Sequence, residues 1–370
     1  MQYKAFKGQP VSRLGFGALR MPMAADGSNR FDRAEGRRII DAAFDAGINY
    51  FDTAYTYIGG DSERFLGEVL SERPRDSYFL TTKYYATAGN GIENVFEEQL
   101  RRCRTDYFDV YMFHSLDENF FKAYTDPKTD CLGYLLRQKE AGRIRHLGFS
   151  SHASPETLER FLDWYDGFDM AQIQLNYLDW TLLDAKRQYE ILTERNIPVW
   201  VMEPLKGGRL STLNEAAAAV LKSAAPDRSL SSWGLRWLMG LDNVQCVLSG
   251  MGSVEQVQEN AATFSEAAPL TAAEQQALDR AIELFIDDLG VPCSACRYCC
   301  DGCPAGLNIP LIISAYNQQK ISGATWRVDG FASAKGPEEC IGCGSCAAHC
   351  PQKIDIPDVM RRFAEIRAAK

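Results

Sequence analysis

The chain has 370 residues, 46% of them apolar, and a formal net charge of -9, which suits one large domain plus a smaller one. The acidic balance argues against a nucleic-acid partner, whose phosphates demand a basic face. No stretch approaches the roughly 20 apolar residues of a membrane helix, and the opening MQYKAFKGQPVSRLGFG lacks the apolar core of a secretory signal, so a cytoplasmic protein off the membrane is expected.

From residue 11 to residue 263, short β-rich runs alternate with longer helical patterns. The runs are VSRLGFGAL (11–19), YFDTA (50–54), YFLTTK (78–83), VYMFHS (110–115), IRHLGFSS (144–151), MAQIQLNY (170–177), PVWVMEPL (198–205) and VQCVLSGM (244–251). They are apolar at both parities, as parallel strands buried on two faces must be. Between them lie patterns such as RAEGRRIIDAAFDAG, with apolar residues three and four apart and Gly47 at the end. Eight such units over about 250 residues predict an α/β fold of the (β/α)8 TIM-barrel type, with a doubly wound sheet as the alternative. After Leu270, TAAEQQALDRAIELFIDD reads as an amphipathic helix with Thr271 as N-cap and Glu274 completing a capping box. The expected division is a barrel over 1–268, a linking helix over 269–290 and a cysteine-rich domain over 291–370.

Of twelve cysteines, only Cys103, Cys131 and Cys246 precede residue 293; these read as core or surface thiols. The rest fall in a duplicated tail, where Cys303-Pro304-Ala-Gly-Leu-Asn-Ile-Pro310 is echoed by Cys350-Pro351-Gln-Lys-Ile-Asp-Ile-Pro357. Each copy leads into a predicted helix, capped by Asn308 or Asp355 with Pro310 or Pro357 in its first turn. Ahead of each Cys-Pro stands a CxxCxxC run, Cys293-x2-Cys296-x2-Cys299 and Cys340-x2-Cys343-x2-Cys346. This is the bacterial ferredoxin spacing, occurring twice. One tight loop presents three thiolates to three corners of an iron–sulfur cube, and the fourth arrives from the other copy. The assignment is Cys293, Cys296, Cys299 and Cys350 for one [4Fe-4S] cluster and Cys340, Cys343, Cys346 and Cys303 for the second. Counting back from Cys-Pro sets Cys299 opposite Cys346 and leaves Cys300 as a spare thiol. Structural zinc is the competing reading of paired CxxC, but it rarely needs three cysteines in one run. The tail is similar to the α-helical ferredoxins, which implies electron transfer.

In a barrel of this type the working residues stand at the C-terminal ends of the strands. Asp52 and Tyr57 follow the second run, Lys83 ends the third and His114 ends the fourth. A lysine at an inner strand end must be paired, because an unpaired buried ammonium is costly; Asp52 is the natural partner. Asp52-Thr53-Ala54, Tyr57, Ser62-Glu63 and Leu66-Gly67 together resemble the aldo-keto reductase signature over residues 1–265, and Lys83 and His114 fall where that family carries the rest of its tetrad. The resemblance implies that Tyr57 protonates a carbonyl oxygen during hydride transfer, that Lys83 lowers the phenol's pKa, that Asp52 holds Lys83, and that His114 orients and polarises the carbonyl.

It further implies a nicotinamide site. Ser150, Ser151 and Gln172 resemble the positions that bind the carboxamide, and Glu259 and Asn260 the pair at the adenine. Met202 stands where the family often has a stacking aromatic residue, followed by Pro204 and Leu205. Gly207-Gly208 lets backbone N–H groups approach a pyrophosphate, or simply makes a tight turn. Gly250, Met251 and Gln256 replace the basic residues of NADP-preferring members, which weakens a case for NADP over NAD. Tyr55, Tyr84, Tyr85, Phe120 and Phe121 are candidates for an aromatic mouth.

The fusion contains a mismatch, since a hydride carries two electrons and a cluster exchanges one. No Rossmann fingerprint brings in FAD; the phosphate site near strands seven and eight can in principle hold FMN. Three readings follow. In the first, an NAD(P)H-linked barrel acts on a small carbonyl or alcohol while its clusters exchange electrons with a ferredoxin or other redox partner. The second is an ordinary carbonyl reductase with structural or redox-sensing clusters, and the third a non-catalytic electron-transfer protein.

Overall fold

The structure, a computed structural model, describes residues 1–28, 30–86, 91–266, 268–288, 290–291, 293, 298–322, 335–348, 350 and 354–369. The chain divides into two compact units, Met1–Leu213 with Leu221–Leu278 and Asn214–Val220 with Asp279–Lys370. Among the described residues no helix is long and apolar enough to cross a membrane.

The first unit opens with an antiparallel hairpin of β1 (Tyr3–Phe6) and β2 (Gln9–Ser12). Lys7 and Gly8 turn it at φ values of 48° and 84°, the left-handed pair that a two-residue hairpin needs. The run expected as one strand over 11–19 is thus shared: Val11 belongs to the hairpin, and the barrel begins at β3 (Leu14–Gly17). The other strands are β4 (Tyr50–Asp52), β5 (Phe79–Tyr84), β6 (Phe108–Leu116), β7 (Ile144–Ser151), β8 (Met170–Gln174), β9 (Val199–Met202) and β10 (Val244–Ser249). They pair in parallel in the order β10-β3-β4-β5-β6-β7-β8-β9, which closes the barrel. Each run read from the sequence supplies one barrel strand, in the expected order.

Between the strands run helices, beginning with α1 (Arg33–Asp45), α2 (Asp61–Leu70) and α3 (Gly91–Cys103). Asp32 caps α1 by accepting from the Ala34 and Glu35 N–H groups, both at 3.0 Å, and Gly47 leaves it at φ 83°. The outward residues of the strands pack against these helices in one continuous apolar layer that includes Phe51, Leu80, Tyr111, Phe113 and Phe149.

The inward residues follow a period of two. Tyr50, Phe79, Val110, Met112, Met170, Trp200, Cys246 and Leu248 form a separate inner core with Phe6 and Val11 of the hairpin. Phe6 meets Trp200 edge-on at 4.8 Å, so the hairpin stoppers the end where the strands begin. Carrying the same parity to the opposite end brings Asp52, Lys83, His114, Ser150, Gln172 and Met202 onto the inner face. Apolar filling at one end and a polar rim at the other are what position the site.

The helix Ala272–Asp288 starts as expected. The Thr271 N–H donates to Glu274 Oε2 at 2.8 Å and the Glu274 N–H to Thr271 Oγ1 at 3.3 Å, the reciprocal bonds of a capping box. The second unit, among its described residues, is helical. Helices Ile309–Ser322 and Ile356–Ala368 bury Ile312, Ile313, Tyr316, Met360 and Phe363 in one small core. Asp355 caps the latter by accepting from the Asp358 N–H at 3.2 Å. The Asn317 side chain pairs with both backbone groups of Val291, at 2.8 Å each.

Candidate functional site

Lys83 is fully buried. Its Nζ donates to Asp52 Oδ1 at 2.6 Å and to the Thr53 carbonyl at 2.7 Å. Burial works most strongly against the ammonium, but Asp52 and Tyr57 together outweigh it, and the lysine's pKa stands above its ordinary value. Burial likewise pushes the Asp52 carboxyl up against the pull of Lys83. The short contact with two oxygen acceptors decides between these opposing pulls: Lys83 is an ammonium and Asp52 its anion.

Tyr57 sits in the turn between β4 and α2, with its ring centroid 5.0 Å from Lys83 Nζ and 5.7 Å, edge to face, from the His114 imidazole. Lys83 pulls the phenol's pKa down, as expected, but the surroundings outweigh that pull. Burial pushes it up, Lys83 pulls it back and Asp52 pushes it up again, for a net rise. The phenol is therefore kept protonated beside a fixed positive charge. His114 is held neutral, its pKa depressed to about 3 by burial first and by Lys83 second. The pairing of β6 with β7 slips between Phe113 and Leu116, and Ser115 lies at φ 59°. This bulge, which no sequence signal announced, interrupts the pairing at His114 and Ser115, just where the strand meets the cavity.

Asp52, Tyr57 and His114 open onto a cavity of about 710 Å³, while Lys83 lies behind it. Of the residues expected to hold a nicotinamide, Ser150, Gln172, Met202, Pro204, Leu205, Gly207, Gly250, Glu259 and Asn260 line this cavity. Ser151 does not: it is buried in the wall and accepts from the Ala153 N–H at 3.1 Å. Asp52 Oδ2, His114 Nδ1 and Gln172 Oε1 are buried without a hydrogen-bond partner, and Gln172 Nε2 reaches only the Met202 sulfur at 3.7 Å. Asn260 Nδ2 donates to Ser249 Oγ at 3.1 Å. Gly207 and Gly208 take φ values of 64° and 95°, and a methyl group added at Gly208 would meet nothing within 4 Å. An open glycine turn beside an amide with an unmet acceptor fits a ligand that carries phosphates and a carboxamide.

Arg20 and His152 are among the lining residues that were not foreseen. Arg20 extends past Gly207 and Gly250, where an added methyl would stand 3.3 Å from its side chain, and pairs loosely with Glu203 at 3.5 Å. It is a cation in the region where the sequence reading found none; in the sequence it is indistinguishable from a solvated surface arginine. His152, just beyond β7, also lines the cavity.

None of the five aromatic residues expected at a mouth lines the cavity. Tyr85 meets His114 at 5.5 Å and Phe120 at 4.9 Å. Tyr84 is buried against Tyr124, Phe121 packs on Phe161, and the Tyr55 hydroxyl donates to Glu98 at 2.9 Å. These three serve packing instead.

In the second unit Cys303, Cys340, Cys343 and Cys346 line one cavity, with Leu307, Ile309, Ile356 and Met360 in its apolar wall. The chain order alone would not bring Cys303 there; the duplicated fold does. Cys299 and Cys346 are both buried, in the corresponding short helices Tyr298–Asp301 and Ser345–Ala348, as the counting had set them opposite each other. Cys296 and Pro351 lie outside the described residues. Cys103, Cys131 and Cys246 are buried core thiols.

Comparison with known proteins agrees with both halves. The profile of the "Aldo/keto reductase family" matches residues 13–283, and that of a "4Fe-4S dicluster domain" matches residues 292–354. The chain is 26% identical over 290 residues to L-galactose dehydrogenase of Arabidopsis thaliana, spanning 70% of this chain and 86% of that one. It is 28% identical over 278 residues to the methylglyoxal reductase YeaE of Escherichia coli, spanning 70% and 87%. Among solved structures, aldo-keto reductase AKR11C1 from Bacillus halodurans in its holo form aligns with a TM-score of 0.61 at 28% identity, covering 76% of this chain and 95% of that one. A barrel whose polar rim was reached by following strand parity, and whose length is matched by one family profile, leaves a single assignment: the chain belongs to the aldo/keto reductase family, an oxidoreductase fused to a C-terminal 4Fe-4S dicluster domain.

Proposed function

We propose that the barrel interconverts a small carbonyl compound and its alcohol with NADH or NADPH, Tyr57 acting as the proton donor and acceptor. The observation that carries this reading is the buried Asp52–Lys83 pair beside Tyr57 and His114 at the floor of a cavity large enough for a dinucleotide. A bound nicotinamide supplies or accepts the hydride. Ser150 and Gln172 would hold its carboxamide, Met202 its apolar face, Gly207 and Gly250 with the Pro204–Leu205 turn its phosphates, and Glu259 and Asn260 its adenine. Arg20 adds a positive charge near the phosphate end.

The chain's own groups divide the remaining work. His114, neutral across the working pH range, donates one ring N–H to the carbonyl oxygen. Tyr57 gives its proton to that oxygen as negative charge develops there, and Lys83 stabilises the phenolate left behind. Asp52 keeps Lys83 charged and in place. Because burial holds the phenol up, the ground state is the acid that carbonyl reduction needs.

For the tail we propose two [4Fe-4S] clusters, one held by Cys303, Cys340, Cys343 and Cys346 and one by Cys293, Cys296, Cys299 and Cys350, exchanging electrons with a redox partner protein. The shared cavity of the first four supports that set. Each cluster supplies one-electron chemistry. We read residues 1–268 as the reductase, 269–290 as the link and 291–370 as the cluster domain.

The test is anaerobic purification, iron and acid-labile sulfide determination, and visible spectra before and after NADH or NADPH. Bleaching of the cluster absorbance supports coupling between the halves. Carbonyl turnover without bleaching favours an ordinary reductase with structural clusters. Tyr57→Phe is expected to lower kcat by about 10²–10⁴-fold, the range for a lost general acid, and unchanged turnover would remove Tyr57 from the mechanism.

A further inference from the structure

We propose that the buried Glu63 and Gln99 and the half-buried Arg102 form a clamp that holds the Tyr57 turn against Lys83, with Arg102 as a positioning residue for proton transfer. The proposal rests on the reading of Tyr57 as the proton donor.

The turn does not hold itself. Ile58 lies at φ 50°, ψ 47°, followed by Gly59 at φ 59° and Gly60 at φ 82°. A β-branched residue avoids the left-handed region because its Cβ crowds the neighbouring carbonyl oxygen. Such a conformation persists only where the surroundings over-determine it. The turn also has no side-chain cap at its start.

One guanidinium grips both of its flanks. Arg102 Nη1 donates to the Tyr55 carbonyl at 3.2 Å, and the group lies over the Tyr55 ring at 4.3 Å. At the other flank, a methyl added to Gly60 would come within 2.4 Å of Arg102 Nη1, so the arginine occupies the space that only a glycine leaves. Arg102 is itself anchored twice, Nη1 to Glu63 Oε2 at 2.9 Å and Nη2 to Glu98 Oε1 at 2.6 Å. Glu98 closes a ring by accepting from the Tyr55 hydroxyl at 2.9 Å.

The same network reaches the catalytic strand. Glu63 is fully buried, and its Oε1 accepts from Thr82 Oγ1 and Gln99 Nε2, both at 2.7 Å. Gln99 Nε2 also donates to the Lys83 carbonyl at 3.0 Å, and its Oε1 accepts from the Tyr111 hydroxyl at 2.5 Å. Tyr57 and Lys83, which sit on different elements, are therefore referred to one rigid frame made by α2 and α3. None of these three side chains lines the cavity, so their effect runs through the position of Tyr57. A lysine has no planar fork to bridge Glu63, Glu98 and Tyr55 at once.

The experiment uses the full chain with its clusters, NADPH, and a panel of methylglyoxal, glyceraldehyde and 4-nitrobenzaldehyde. Arg102→Met keeps the stem and removes the fork; it is expected to lower kcat by about 10–100-fold, as small misplacements of reacting groups do. KM and the NADPH Kd should stay within about twofold of the parent, since only the transition state is affected. In Arg102→Ala, millimolar guanidinium should restore part of kcat, because Arg102 borders an open recess of about 390 Å³ through which it can enter; a variant that is merely less folded would not respond. Hydrogen exchange of the Tyr55–Gly60 segment should quicken in Arg102→Met while Tm falls by only a few degrees, a readout that needs no substrate. Unchanged kcat, or unchanged exchange in that segment, overturns the clamp. Tyr57→Phe separates the two readings. If it keeps parental turnover, the proton-donor assignment fails and the proposal with it; if it abolishes turnover while Arg102→Met keeps it, the clamp alone fails.

Discussion

The two halves of this chain make their sites in opposite ways. The barrel recruits Asp52, Lys83 and His114 from three neighbouring strands; register pairs Asp52 with Gly17 and Thr81 and Lys83 with Met112, while His114 follows the last regular pair at Phe113. The tail draws its cysteines from short loops and single-turn helices, around a core that, among the described residues, rests on two longer helices. In the barrel, packing makes the site, and a buried charge is tolerated because the frame is already rigid. In the tail the apolar core among the described residues is small, and the expectation is that a bound group contributes to its folding free energy.

The largest effect expected from this contrast is a one-sided collapse. Cys340→Ser or Cys303→Ser should lose the iron and sulfide of one site and expose the tail to limited proteolysis, because ligand binding there is part of the folding free energy. The barrel should survive as a resistant core that retains NADPH binding. A tail that stays protease-resistant without iron would break the comparison.

A second effect belongs to the barrel. Asp52→Asn leaves the Lys83 ammonium buried without its anion and should cost about 3–5 kcal/mol in denaturant unfolding. Adding Lys83→Met removes the stranded charge and should recover much of that stability while turnover stays lost. Failure of the double variant to recover would mean that the pair is also needed to shape the barrel.

The same contrast decides how much could be seen in the sequence. The barrel strands were legible because burial on both faces leaves runs such as YFLTTK and VYMFHS apolar at both parities. The Asp52–Lys83 pair was legible because an inner lysine demands an anion. The dicluster character of the tail was legible because a cube imposes spacing on a loop. Features that depend on backbone irregularity were not: the His114–Ser115 bulge and the left-handed Ile58 leave no composition signal. The Arg102 clamp looks, residue by residue, like ordinary charge pairing on helices. The hairpin had a signal that the strand search passed over, the Lys7-Gly8 step between two short runs, masked by Pro10 inside the second.

The smallest expected effect tests where the barrel's packed frame ends. Glu274, in the first turn of helix Ala272–Asp288, pairs in two contacts with Arg236, at 2.5 and 2.8 Å, and Arg236 also holds the Ala268 carbonyl at 3.0 Å. The Arg236 hydrogen bonds and those to Thr271 hold the glutamate's pKa down to about 2, against an ordinary 4.5. A depressed carboxylate adds stability above its unfolded pKa, and that stability drains away as pH falls from about 4.5 towards 2. Glu274→Gln should therefore cost about 1–2 kcal/mol at pH 7, as a lost cap and charged hydrogen bond do. The gap between parent and variant should hold from pH 7 to pH 5 and narrow steadily below it, read as the urea midpoint of the barrel. A gap that stays constant down to pH 3.5 would mean that the glutamate serves as a neutral cap, and that the first turn of this helix is not tied electrostatically to the barrel frame.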